Sequence, residues 1–192
     1  MKALKIWLCC VAVLFLLASC EQEPDLEDYG IEKVDHTLSD KEIESCFNVL
    51  GLRFERFRCM IPKRSAVKLT SQQYIEGEAR RGTSSGTMHL DKGLHEFTLF
   101  MKEQDNSISF LVQTSGSRSS CGSASMEDYS AKTWGRIPIK KLSRTEKQPI
   151  FFCAANVDGG IEGFSPDKFD IEALIDKYDF AMVIYVSVED PP

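Results

Sequence analysis

Between Leu52 and Val188 the apolar residues of this chain recur mostly at every second position, and that period admits little besides β-sheet. The clearest case is the pair Leu94–Lys102 (LHEFTLFMK) and Ser107–Thr114 (SISFLVQT), joined by Glu103-Gln104-Asp105-Asn106. Alternation on both sides of a short polar link predicts a hairpin. Leu52, Phe54, Phe57, Cys59 and Ile61 alternate with arginines and Glu55, and one slip at Glu55–Arg56 predicts a bulge. Val67, Leu69 and, after a second irregularity, Tyr74 and Ile75 mark a further extended run ending near Ala79. Glu78 to Lys92 reads as a Gly/Ser/Thr-rich loop. Ile137 and Ile139 flank Pro138, whose missing N–H confines that strand to a sheet edge. Pro149–Asn156 (PIFFCAAN) is an apolar strand closed by Asp158-Gly159-Gly160. Phe180–Val188 (FAMVIYVSV) is apolar at odd and even positions alike, which places it at the centre of a sheet covered on both faces.

Two helices interrupt this pattern. Ser39-Asp40-Lys41-Glu42 is a capping box, and Ile43, Cys46, Phe47 and Leu50 then share one helical face before Gly51 ends it. Ser165-Pro166 has the cap and first-position proline of a second helix, with Ile171, Leu174, Ile175 and Tyr178 as its buried face. About seven strands and two helices without repeats predict an α+β, predominantly antiparallel β domain: a sandwich or jelly-roll-like barrel.

The N-terminus carries a different signal. Lys2 and Lys5 precede an apolar run of 13 residues, Ile6–Ala18, which is an export leader in form and is shorter than the roughly 20 residues of a membrane span. Leu17-Ala18-Ser19-Cys20 resembles the lipobox of bacterial lipoproteins. That resemblance implies cleavage before Cys20 and lipid on its sulfur, with acylation of the new amine as the usual further step. Each buried CH₂ contributes about 0.8 kcal/mol, so two or three acyl chains hold a protein permanently. Glu21–Asp28 then holds five carboxylates in eight residues, too much self-repulsion for a compact fold. This acidic stretch also resembles the surface-export signals of Bacteroidota-type lipoproteins. The expected organisation is a signal peptide over 1–19, an acidic tether over 20–37 and one globular domain over 38–192, anchored to the outer membrane and facing the periplasm or the exterior.

Charge and cysteine usage narrow the partners. The chain has 23 basic and 29 acidic residues, and loss of Lys2 and Lys5 with the leader leaves 21 against 29. A chain this acidic, with its basic residues scattered, is not built for nucleic acid. Cys46, Cys59, Cys121 and Cys153 form an even set in an exported chain, which predicts two disulfides in one of three pairings. Cys46–Cys59 would need a sharp bend between the first helix and the first strand. Without a C-x-x-C pair and with dispersed positions, the four do not read as a zinc site.

Catalytic patterns are weak. Ser65-Ala66-Val67-Lys68 matches S-x-x-K, but Lys132-Thr133-Trp134 departs from K-T-G and S-D-N is absent. Cys121 with His89 or His95 resembles a thiol–base pair only in composition, and the two histidines bracket a turn at Asp91-Lys92-Gly93. Asn156, Asp158 and Glu162 lack the spacing of a calcium loop. No cofactor or metal is expected. The most unusual stretch is Ser115–Gly135, read as a long structureless loop holding Glu127, Asp128, Tyr129 and Trp134, the one tryptophan that outlasts the leader. Rings beside carboxylates suit a sugar or an extended peptide. The expectation is therefore a non-catalytic, lipid-anchored domain binding an extracellular glycan or peptide through that loop. Two further readings are a protease inhibitor or immunity protein presenting Glu78–Ser85, and a structural subunit of an envelope assembly exchanging its last strand.

Overall fold

The alternation builds two antiparallel sheets that face each other across one apolar layer. In the computed structural model, residues 28–33, 50–80, 85–104, 106–116, 118–139, 141–160 and 169–190 are described. The elements in order are β1 (Ile31–Lys33), β2 (Leu52–Ile61), β3 (Ser65–Ile75), β4 (Glu78–Ala79), β5 (Ser85–Leu90) and β6 (Gly93–Gln104). They continue with β7 (Ser107–Gln113), β8 (Arg118–Ser125), β9 (Ala131–Arg136), β10 (Gln148–Asn156), helix α1 (Ile171–Lys177) and β11 (Phe180–Glu189). One sheet runs β1-β2-β6-β7-β8 and the other β4-β3-β11-β10-β9, with β5 also paired to β3. The predominantly antiparallel, sandwich-like architecture is thus present, with eleven strands among the described residues instead of about seven.

The missed strands are poor in large apolar side chains. Gly86, Met88 and Leu90 are buried alternately along β5, inside the stretch read as a Gly/Ser/Thr loop. The 115–135 segment is not structureless: it forms β8, a short link and β9. β1 lies within the stretch read as tether, pairs with β2 from Ile31↔Cys59 to Lys33↔Phe57, and buries Ile31. Ile137–Ile139 is not a strand; β9 stops at Arg136, before Pro138, and is itself the edge of its sheet.

Neither predicted irregularity in the early strands exists. β2 pairs with β6 without a break from Leu52↔Lys102 to Ile61↔Gly93. The sequence slips there because Arg53 and Glu55 occupy positions on the same side as Phe57 and Cys59, near the open end of the sandwich. β3 likewise pairs with β11 throughout, from Ala66↔Glu189 to Ile75↔Phe180. Its inward Ser71 and Gln73 serve β8 instead of the apolar layer, since Gln73 Nε2 donates to the Ser123 carbonyl at 2.7 Å. The link to β4 is a two-residue turn, Glu76-Gly77, with φ of +51° and +80°, the left-handed pair that a tight hairpin requires.

β11 explains the layers. Phe180, Met182, Ile184, Val186 and Val188 join the core between the sheets, while Ala181 and Val183 join a second cluster with Phe152, Leu174 and Tyr178 under α1. A central strand covered by a sheet on one side and a helix on the other must be apolar in both registers. α1 starts at Ile171 because Asp170 Oδ1 accepts from Glu172 N at 2.9 Å, satisfying an orphan donor of the first turn. The cap expected at Ser165 and the helix expected over 39–50, with Cys46, lie outside the described residues. Gly51, expected to end that helix, does have a left-handed φ of +63°.

Cys59, Cys121 and Cys153 are free thiols, all buried in the main core. Each of the three possible two-bridge pairings joins two of these three, so none of them is present in this structure. Burial pushes each thiol up to about 12.

Candidate functional site

In an antiparallel sheet, residues directly opposite one another project from the same face. Across the five-stranded sheet, Arg56 on β2 is opposite Thr98 on β6, Thr98 is opposite Gln113 on β7, and Gln113 is opposite Arg118 on β8. Their sequence neighbours Phe57, Phe97 and Val112 are buried in the core, so this row stands on the outer face. Strand spacing of about 4.8 Å makes the row about 14 Å long from Arg56 to Arg118.

A groove of about 790 Å³ opens over Arg56, Thr98 and Gln113 of this row, and Arg118 stands outside its lining. Arg56, Glu96, Thr98 and Gln113 come from the outer face, Thr87 and His89 from the exposed side of β5, and Thr114–Gly116 form the rim after β7. β5 reaches this place because Asp91-Lys92 turns it directly into β6, carrying the chain from one sheet to the other. His95 Nε2 is bonded to the Asp91 carbonyl at 2.8 Å, which fixes the ring against that turn. Glu96 is engaged by Arg58, whose Nε and Nη2 donate to Oε1 at 2.9 and 2.7 Å. Arg58 also lies 3.9 Å from Glu32 on β1.

The other polar groups of the groove are differently placed. Among the described residues, Arg56, Thr98 and Gln113 make no side-chain hydrogen bond or ion pair within the chain. Three donor-rich side chains in one register, open to solvent, can hold hydroxyls and carbonyls of a ligand without first breaking a protein contact.

The residues expected to bind lie elsewhere, and none of them lines this groove. Glu127 and Asp128 are exposed in the turn after β8. Tyr129 is half-buried with its ring 5.3 Å from that of Phe180. Burial first, then the carboxylates of Asp128, Asp179 and Glu76, push its hydroxyl upward, with Arg80 opposing. Trp134 is opposite Cys153 and faces the core, and the Arg53 guanidinium lies 3.9 Å from its ring centroid. Both rings are thus wall residues of the sandwich, and one face of Trp134 is already occupied.

The catalytic patterns do not assemble either. Ser65 and Lys68 are three apart on a strand and so project from opposite faces; Ser65 Oγ donates to the Lys63 carbonyl at 2.8 Å. Asn156 is a loop staple: its Nδ2 donates to the Gly160 carbonyl and its Oδ1 accepts from Asp179 N. Among the described residues there is no group of three His, Cys, Asp or Glu side chains fit to hold a metal. Cys20, Cys46 and Glu162 lie outside the described residues, as do residues 81–84 of the proposed inhibitor loop. The final strand, expected to be exchanged in the envelope-subunit reading, is bonded within the chain on both edges, to β3 and β10.

The groove was not legible beforehand because its residues come from β2, β5, β6, β7, β8 and the β7–β8 link. The one available clue was that Arg56, Thr98 and Gln113 each stand next to an apolar residue of an alternating run. No family model, no curated protein and no solved structure matches this chain.

Proposed function

We propose that this chain is a non-catalytic binding domain, lipid-anchored to a bacterial envelope through Cys20, that captures an extracellular glycan in the groove on its five-stranded sheet. What supports the reading most is the register-aligned row Arg56–Thr98–Gln113, polar and unpartnered among the described residues. A sheet face offers side chains only, since its backbone groups are already spent on the ladder. An extended peptide takes its main hydrogen bonds from a free strand edge, so a face of this kind favours hydroxyl-rich ligands.

The anchor would be short. The domain begins by Asp28, leaving seven residues between it and Cys20 and a reach of at most about 28 Å. The domain would therefore work close to the bilayer.

The test is a glycan and peptide array probed with the mature protein and with Thr98→Val and Gln113→Ala. Retention on glycans, lost at least tenfold in both variants with the thermal transition unchanged, is the expected result. Retention indifferent to both substitutions would rule out the groove as the site, and capture of peptides alone would rule out the glycan. Mass spectrometry of the native protein tests the anchor separately: an unmodified thiol at position 20 would refute it.

A further inference from the structure

The outer face of the five-stranded sheet has the opposite sign to the rest of the protein. The chain carries a net charge of −6. On this face, by strand register, stand Arg56, Arg58, Lys102 and Arg118 against only Glu32 and Glu96. Both carboxylates flank Arg58, at 3.9 and 2.7 Å. Among the described residues, Arg56, Lys102 and Arg118 have no ion-pair partner. Three cations on one face of an acidic protein, all uncompensated, constitute a local positive field.

Hydroxyls and apolar side chains share the face with them: Phe54 is opposite Phe100 and Phe100 opposite Leu111, in the row between Lys102 and the Arg56–Arg118 row. Ser109 is opposite Lys102 and Ser123, Ser107 is opposite Ser125, and Ser120 is opposite Leu111, all outward. Arg56 and Arg118 close the two ends of the row that Thr98 and Gln113 fill. Guanidinium groups match carboxylate and sulfate geometry, and hydroxyl and amide groups match sugar hydroxyls.

We propose that the ligand of this face is an acidic glycan, one whose sugar rings carry carboxylates or sulfates, with Arg56 and Arg118 engaging two of its anionic groups. This rests on the glycan reading above and adds the sign of the ligand to it. Two arginines about 14 Å apart at the ends of one row select a polymer with repeating charge over a single small anion.

The experiment is isothermal titration of the detergent-solubilised mature protein with four probes: oligogalacturonate, its carboxyl-reduced neutral form, a sulfated galactan fragment and poly-glutamate. Oligogalacturonate or the sulfated fragment should bind, the reduced form at least tenfold more weakly, and the affinity should fall as salt is raised. Arg56→Gln and Arg118→Gln should each cost about tenfold on the acidic glycan, without changing the melting temperature. Which acidic probe binds distinguishes carboxylate from sulfate. Equal binding of the charged and reduced forms, still sensitive to Thr98→Val, would overturn this inference and leave the glycan reading standing. Capture of poly-glutamate with the same arginine dependence would overturn the glycan class. Acidic binding unaffected by both arginine substitutions would overturn the assignment to this face.

Discussion

The guanidinium of Arg53, on the second residue of β2, lies 3.9 Å from the ring centroid of Trp134 on β9 and so ties the two sheets together. Beside it, Lys132 Nζ donates to Glu103 Oε1 at 2.6 Å across the same gap. Both contacts lie where the inward positions of β2, β6 and β9 have run out of apolar partners. A cation–π contact with one solvent-facing member contributes about 0.5–1 kcal/mol. A double-mutant cycle of Arg53→Ala and Trp134→Phe, read by urea denaturation, should return a coupling of that size. A coupling near zero would mean that the two residues pack independently.

The three core thiols make a pH prediction. Cys59, Cys121 and Cys153 are each raised by burial from 9.0 to about 12. A thiol whose pKa is higher in the fold keeps its proton while the unfolded chain loses it, so stability is complete below pH 9 and declines as pH rises toward 12. By about pH 10 each thiol should cost about 1 kcal/mol. Chemical denaturation from about pH 7 to about pH 10 should therefore show a falling midpoint, and Cys121→Ala should flatten part of the fall. Iodoacetamide at about pH 8 should leave all three unlabelled until denaturant is added. Labelling of any of them in the native protein would contradict their burial.

Gly122 is the residue on which closure of the sandwich depends. Its φ is +145°, and a Cβ there would run into the Ser71 side chain and stand 2.7 Å from Met182 Cε. It sits at the register shift between β7 and β8, where β8 leans onto β3. Gly122→Ala combines overpacking with an unfavourable backbone conformation and should destabilise by about 3 kcal/mol. Ser123→Ala, one residue away and outward, should change stability by less than about 0.5 kcal/mol. Similar midpoints for the two variants would refute the close approach.

How far the sequence could be read depended on side-chain size. The hairpin of β6 and β7 and the central position of β11 were legible because Phe97, Leu99, Met101 and Ile108, Phe110, Val112 alternate without interruption, and Phe180–Val188 does not alternate at all. β5 and β8 were not, because their buried positions include Gly86, Cys121, Gly122 and Ala124, which lack the bulk that marks a core face. Trp134 drew attention as a ring in a loop, yet its register places it opposite Cys153 and facing the core. The disulfide expectation came from an even count in a chain read as exported, and both are silent on distance. The charge reversal on the five-stranded sheet was hidden because Arg56 and Arg118 lie far apart in sequence and become ends of one row only after β2, β6, β7 and β8 are in register.

Whether the groove is the binding site can be read at the level of segments by hydrogen–deuterium exchange of the mature protein with and without a captured acidic glycan. Slowed exchange is expected in Leu94–Thr98 and in Gln113–Ser120, which border the groove, with no change across Met126–Arg136. Protection of Met126–Arg136 with the groove segments unaffected would contradict the assignment.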